Sequence, residues 1–464
     1  MNSRLGQVWR QAAKVQIGGI RGPAGTMRRY VSQTQTKQNT VAVVASAPDR
    51  FVAPAADAHL KTLSRRELVA LGVIGCVTTN AQLLKVVTQA FPYVPTSMAK
   101  MLISALYCGG DTMEEVRETG RALARRGVGN MMLSLTVEDS EGTKNIDIDY
   151  IVEETVRSLH GVLLPHMEEQ LASAADINSV PPGYLALKPS ALVSNPANTL
   201  LHFSDPAWRQ QRDTLVGNFS RIVGEVYKLN QEMLARYPDR KAPFFVATID
   251  AEKYEVQCAG VYELQRLMFA KFNPVSSPIV SCIGTWQLYL RDAAADLMAQ
   301  AARAQREGYK LGVKLVRGAY LHSEPNRDVI HPTKEATDEH YNEVMAKVIQ
   351  DLLANGEHSA FGHLVVASHN YQSQMLTTML LQAHGESVGK SNVVLGQLLG
   401  MADNVTYDLI HNHGARNIIK YVPWGPPKET KDYMHRRLQE NGDAVRADNG
   451  WPLVKAVCRT LFCR

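Results

Sequence analysis

The sequence is short of several things, and each shortage excludes something. Its 464 residues hold six cysteines: Cys76, Cys108, Cys258, Cys282, Cys458 and Cys463. No two are spaced as CxxC, which excludes zinc-ribbon and thioredoxin-type sites. So sparse a set fits free thiols in a reducing compartment better than a disulfide framework. No GxGxxG follows the first strand-like run and no GxxxxGK[ST] occurs, so neither a Rossmann dinucleotide unit nor a P-loop is expected. No apolar run reaches the roughly 20 residues of a membrane span. The best, Leu68 to Val77, has ten residues and ends at Thr78, Thr79 and Asn80. Ser64 and Glu67 read as a capping box that opens this helix. It is expected to belong to a soluble domain, with a peripheral membrane contact as the competing reading.

Acidic residues are missing from positions 1–48, which carry Arg4, Arg10, Lys14, Arg21, Arg28, Arg29 and Lys37. The whole chain has a net charge of +5, so without these seven cations the remainder is −2. A near-neutral body offers no global electrostatic case for nucleic acid. The acid-free, Arg-rich segment has the composition of a mitochondrial transit peptide, with cleavage expected after Tyr30. The alternative is a basic tail without a targeting role. Either way residues 1–50 are set apart from the fold.

What remains is ordinary globular composition, 45% hydrophobic and 20% charged, enough for a sizeable core. Residues 51–126 form a helical region, with helices at 64–80, near 95–107 and from Thr112 to Arg126. Over 127–445 the texture changes to eight short apolar runs: Met131–Leu135, Tyr184–Lys188, Phe244–Asp250, Ile283–Tyr289, Val313–Val316, Leu364–Ser368, Val393–Leu398 and Asn417–Tyr421. Helix-like segments separate them, so parallel pairing with crossovers is expected. Eight such units predict an α/β fold, a (β/α)8 TIM-like barrel preceded by an N-terminal helical region. An open doubly wound sheet is the alternative. The barrel is favoured because polar residues end the runs: Lys188, Asp250, Gln287, Arg317, His369, Gln397 and Tyr421. In a barrel those ends share one mouth. Residues 446–464 are a C-terminal extension.

Two segments concentrate the chemistry. In Lys314-Leu-Val-Arg-Gly-Ala-Tyr320, followed by Glu324, the lysine can anchor an anionic group. Gly318 would let a ligand ring approach closely, and Tyr320 gives an aromatic wall with a polar tip. The alternative is a strand end with surface charges. In Tyr433-Met-His-Arg436-Arg437-Leu-Gln-Glu440-Asn441, helical spacing makes Tyr433, Arg436, Arg437 and Glu440 neighbours. Two adjacent guanidinium groups repel unless an anion lies between them, and each fork matches a carboxylate. The alternative is a solvated helix face. Lys188 could form a structural ion pair with Asp250. Ser368 and His369 lack an oxyanion-hole pattern that would make them a nucleophilic pair, and His411 and His413 read as surface histidines, so no metal site is assigned.

KLVRGAY, ASHN at 367–370 and YxxRRxxEN at 433–441, in this order and with Lys188, Asp250 and Tyr421 at run ends, resemble the proline dehydrogenase family. YCGGDT at 107–112 and GQLLGMADNVT at 396–406 resemble its eukaryotic, fungal-like branch. The resemblance covers about residues 100–445. It implies a distorted barrel holding FAD non-covalently, with the last helix over the opening. It further implies that Lys188, Asp250, Lys314 and Tyr421 are catalytic. Arg436, Arg437, Glu440, Leu315, Tyr320 and Tyr433 would bind the substrate, L-proline. Gln287, Lys314, Val316, Gly318, Ala319, Thr333, Lys334, Ser368, His369, Asn370, Gln397 and Glu440 would line the FAD. The implied reaction is oxidation of proline to Δ1-pyrroline-5-carboxylate, with electrons passed to ubiquinone at the matrix side of the mitochondrial inner membrane. The alternatives are hydroxyproline dehydrogenase, against which Tyr421 argues, and a flavin-free Schiff-base lyase on the same barrel.

Overall fold

The structure, a computed structural model, describes residues 38–40, 42–44, 46–48, 50–55, 57–137, 147–321, 323–384, 391–435, 437 and 450–462. Its centre is a closed parallel barrel of eight strands in sequence order: β1 (Asn130–Leu135), β2 (Gly183–Leu187), β3 (Phe245–Ile249), β4 (Cys282–Gln287), β5 (Leu311–Val316), β6 (Phe361–Ala367), β7 (Val393–Leu398) and β8 (Ile418–Trp424). Every residue of β1 to β4 is buried. Strands covered on both faces need continuous apolar runs rather than alternation, which is why the eight runs were readable at all. β8 continues three residues beyond the predicted end, so Tyr421 lies inside the strand opposite Met132. Lys314 likewise lies inside β5, opposite Thr285 of β4 and Val365 of β6.

The described chain divides into two compact units. One comprises Ala197–Leu395 with the described residues before Ala53; the other comprises Ala53–Pro196 with the described residues from Gly396 on. In the first, two buried asparagines close the N-terminal ends of strands. Asn273 donates to Cys282 O and Lys310 O and accepts from Ser281 N and Cys282 N. Asn230 serves Phe245 and Ser281 in the same way.

In the second unit the helix Arg65–Thr78 opens with the expected capping box: Glu67 N donates to Ser64 Oγ at 3.3 Å and Ser64 N to Glu67 Oε2 at 2.7 Å. Thr112 caps Met113–Arg125. The stretch expected near 95–107 is helical from Thr96 to Tyr107, with a π turn at Lys100–Ser104. Two helices were not anticipated. Ala81–Ala90 is started by Asn80, whose side chain accepts from Gln82 N and Leu83 N. Gly450–Phe462 lies in the segment read only as an extension. It packs on Arg65–Thr78, where Gly72 and Gly75 admit Val457 and Val454, and its Leu453 and Val457 join Leu60, Leu63 and Leu68 in a buried cluster. No single described helix is long and apolar enough to cross a membrane.

Candidate functional site

In the first unit the predicted residues gather at the C-terminal ends of β3 to β6. Lys314 is buried and its ammonium pairs with Asp250, which directly follows β3. Gln287, the last residue of β4, is fully buried. Its Nε2 donates to Glu252 O at 2.8 Å and its Oε1 accepts from Ala319 N at 3.0 Å. The Tyr320 hydroxyl donates to Ala251 O at 3.2 Å. These bonds tie the segment after β5 to the one after β3. Leu315 is fully buried, and its carbonyl accepts from the Tyr341 hydroxyl. Val316 and Gly318 are half-buried and Ala319 is exposed.

Gly318 was expected to leave room for a ligand. The structure gives it another partner, because a Cβ there would lie 2.1 Å from the Tyr289 ring. The Tyr289 hydroxyl donates to the buried Glu324 at 2.7 Å, and the same carboxylate accepts from Tyr254 N. Burial, reinforced by Glu324, pushes the Tyr289 phenol well above its ordinary pKa.

Arg317 organises the next group. Its fork donates to Asp338 at 2.6 Å, to Ser368 and to Ser373 at 2.7 Å, and its guanidinium lies over the Tyr341 ring. Burial pushes the Asp338 carboxyl up, but bonds from Lys334 and Arg317 outweigh it and hold the pKa below the usual range. Ser368 Oγ accepts from Arg317 and from Asn370 N at 2.9 Å, a structural rather than nucleophilic setting. Asn370 caps the helix Tyr371–Gln382, and Thr333 caps Lys334–Asn355. Thr333 and Lys334 are exposed and His369 is half-buried. Two capped helix starts thus stand beside an arginine network, and helix N-termini favour anionic ligands.

In the second unit Lys188 directly follows β2 and is half-buried. Tyr421 donates to Ser134 Oγ of β1 at 2.8 Å. Its neighbour Lys420, which sequence reasoning passed over, points to the opposite face of β8 because successive side chains alternate. Lys420 is 1% exposed. It donates to Asp403 at 2.7 Å, to Gln397 Oε1 at 3.0 Å and to Met401 O at 3.1 Å. Burial lowers its pKa against the opposing pull of Asp403. Burial also pushes Asp403 up, but Lys420 and His59 more than reverse this and hold it below the usual carboxylate range. Gln397 Nε2 is buried and has no hydrogen-bond partner among the described residues.

Residues 427–435 are helical. Tyr433 and Met434 sit in an apolar cluster with Tyr107, Leu106 and Met401. His435 stacks on Phe91 at 5.5 Å and bonds Thr88 O, so helices preceding β1 hold this one. Arg437 is half-buried with its guanidinium 4.9 Å from the Tyr433 ring. Arg436 and Glu440 lie outside the described residues, as does the expected transit peptide through residue 37. Among the described residues no group of three His, Cys, Asp or Glu could hold a metal. In the first unit the two capped helix starts, at Thr333 and Asn370, suit an anionic group such as a phosphate.

Comparison with known proteins agrees with this chemistry. A family model described as proline dehydrogenase matches residues 116–449. Proline dehydrogenase 1, mitochondrial, of Bos taurus is 35% identical over 198 residues, 43% of this chain and 32% of that protein. The protein of the same name in Dictyostelium discoideum is 26% identical over 385 residues, 77% of this chain and 64% of that one. The crystal structure of proline utilization A from Bdellovibrio bacteriovorus, inactivated by N-propargylglycine, matches with a TM-score of 0.55 at 15% identity. That match covers 98% of this chain and 43% of the bacterial one, and it speaks to the fold. The chain therefore spans about a third of the bovine relative and under half of the bacterial protein.

Proposed function

The chain belongs to the proline dehydrogenase family, and on that premise we propose that it oxidises L-proline to Δ1-pyrroline-5-carboxylate with non-covalently bound FAD in the mitochondrion. The observation that carries this is the family match across all eight strands, 116–449, with the buried Lys314–Asp250 pair inside it. Bound FAD would supply the hydride acceptor for proline C5. The protein's part is to bind, orient and keep the site dry. Arg437, with Arg436 beside it in sequence, binds the substrate carboxylate, and Tyr433 backs the guanidinium. The substrate nitrogen has to be neutral for its lone pair to form the C=N bond, and nearby arginines disfavour a protonated amine by like charge and desolvation. Lys188 and Tyr421 in one unit, and the Lys314–Asp250 pair in the other, are the further residues this reading assigns to the substrate. By the family resemblance Gln287, Ser368, Asn370 and Gln397 would be residues that hold the cofactor, and the capped starts of Lys334–Asn355 and Tyr371–Gln382 would favour its anionic part.

Electrons would pass to ubiquinone, which calls for contact with the inner membrane. Exposed Val69, Leu83, Val86, Tyr93, Met98 and Met101 support that contact. Between Leu60 and Tyr107 the chain has five cations and a single acid, Glu67, which suits an anionic lipid surface.

Purified protein is expected to be yellow and to bleach anaerobically when proline is added. A colourless protein, or a yellow one reduced by hydroxyproline and not by proline, overturns the reading. Arg437→Met should raise the KM for proline about 30-fold or more while flavin stays bound. Loss of flavin instead would move Arg437 to the cofactor.

A further inference from the structure

We propose that Glu324 is a positioning residue for the substrate site, pinning the turn after β5 so that Tyr320 stays at Ala251, next to Asp250. This rests on the proline-oxidising reading above. Glu324 is 4% exposed. Its Oε1 accepts from two elements at once: from the Tyr289 hydroxyl after β4 at 2.7 Å and from Tyr254 N after β3 at 2.9 Å. Its own N–H donates to Tyr320 O at 2.9 Å, which folds the turn back on itself. The Tyr320 hydroxyl in turn donates to Ala251 O at 3.2 Å. Ala251 follows Asp250, the partner of Lys314. A chain of bonds therefore runs from Glu324 to the residue beside the buried ion pair.

The turn is held at two points. Gln287 holds the near one, tying Ala319 to Glu252 through the two ends of one amide. Tyr289 covers the start of the turn: its N–H donates to Arg317 O at 2.6 Å and its ring lies against Gly318. Its hydroxyl then reaches across to Glu324, so one tyrosine spans the turn from start to far end. Tyr320 sits between the two pins and is half-buried. Gly318 and Ala319 before it are too small to pack the turn by themselves. Site residues have to be held to within about 0.5 Å by the groups behind them, and a misplacement of about 1 Å costs on the order of 100-fold in rate. Without Glu324 the far end of the turn loses its bonds to the segments after β3 and β4, and Tyr320 is held from one side.

The test measures kcat/KM for proline, melting temperature and hydrogen exchange at the Ala319 amide in variants of the holoenzyme. Glu324→Ala removes both acceptor contacts. Tyr289→Phe removes one and keeps the ring. Glu324→Gln keeps an acceptor oxygen for both donors. Glu324→Ala is expected to lower kcat/KM about tenfold and Tyr289→Phe about threefold, with Glu324→Gln within about twofold of the wild type. The Ala319 amide should exchange faster in Glu324→Ala. In a chain that already carries Tyr320→Ala, neither Glu324→Ala nor Tyr289→Phe should lower kcat/KM further, because a residue acting through Tyr320 then has nothing to position. Wild-type kcat/KM in both, even at a lower melting temperature, overturns the proposal by making Glu324 merely structural. An undiminished loss in the Tyr320→Ala chain overturns it too. If Glu324→Ala does not fold, Tyr289→Phe carries the same comparison. A wild type that does not oxidise proline overturns the functional reading. A wild type that does, with unaffected variants, overturns this inference alone.

Discussion

Two buried lysines, each inside a barrel strand and each paired with an aspartate beyond a strand end, invite comparison. Lys314 of β5 pairs with Asp250 after β3, and Lys420 of β8 pairs with Asp403 after β7. Their side chains are 8% and 1% exposed, respectively. Lys314 stands in a recognisable motif, whereas Lys420 stands in a plain apolar strand, Ile418–Trp424. All three donors of Lys420 are taken by protein acceptors, so it has none left to offer a ligand. The same pairing thus stands in two different settings.

The largest expected effects would break this contrast if they failed. Lys420→Met should cost about 3–5 kcal/mol of stability, since it strands the Asp403 carboxylate in a largely buried site. Chemical denaturation with the flavin present measures it. Lys314→Met should appear first in turnover, with kcat/KM for proline down about 100-fold. If Lys314→Met kept its turnover while Lys420→Met kept its stability, the two roles would be reversed.

The next effect concerns His363 of β6, paired in register with Gly312, two residues before Lys314. Burial pushes its imidazole down to about 4. A His held neutral in the fold binds its proton more readily when unfolded, so stability is full above about pH 6.5 and falls as pH drops toward 4. The loss is on the order of 3 kcal/mol. Unfolding free energies between pH 7 and pH 4 should show this slope, and His363→Gln should flatten it. An unchanged slope would assign acid lability to other groups.

The smallest effect sharpens the Lys314 side. Gly318→Ala should cost about 1–3 kcal/mol by overpacking against the Tyr289 ring, and Tyr289→Leu in the same chain should recover part of it. If Gly318→Ala instead lost flavin at unchanged melting temperature, the glycine would face the cofactor after all.

Much of the barrel could be read from composition and spacing, because buried parallel strands require continuous apolar runs. The helix Arg65–Thr78 was readable from Ser64 and Glu67. Ala81–Ala90 was missed although Asn80 is a good cap. Gly450–Phe462 was missed because its apolar residues make sense only against Gly72 and Gly75, far away in sequence. In the site, the ends of β2 to β7 were anticipated by polar residues closing each run. Arg317, Glu324 and Lys420 were not assigned roles, since nothing local distinguishes a hub from a surface charge. A lysine in an otherwise apolar run was the one signal that could have been used, because lysine is rarely buried without a partner.

The sequence by itself determined the eight strand units, the first helix caps and the family, since all three are written in local patterns of residues. Only the tertiary structure decided that Lys314 takes Asp250, that Gly318 lies against the Tyr289 ring, and that Lys420 takes Asp403 and the Gln397 oxygen. Those choices depend on residues tens to hundreds of positions apart, and chain folding alone brings their atoms within bonding distance.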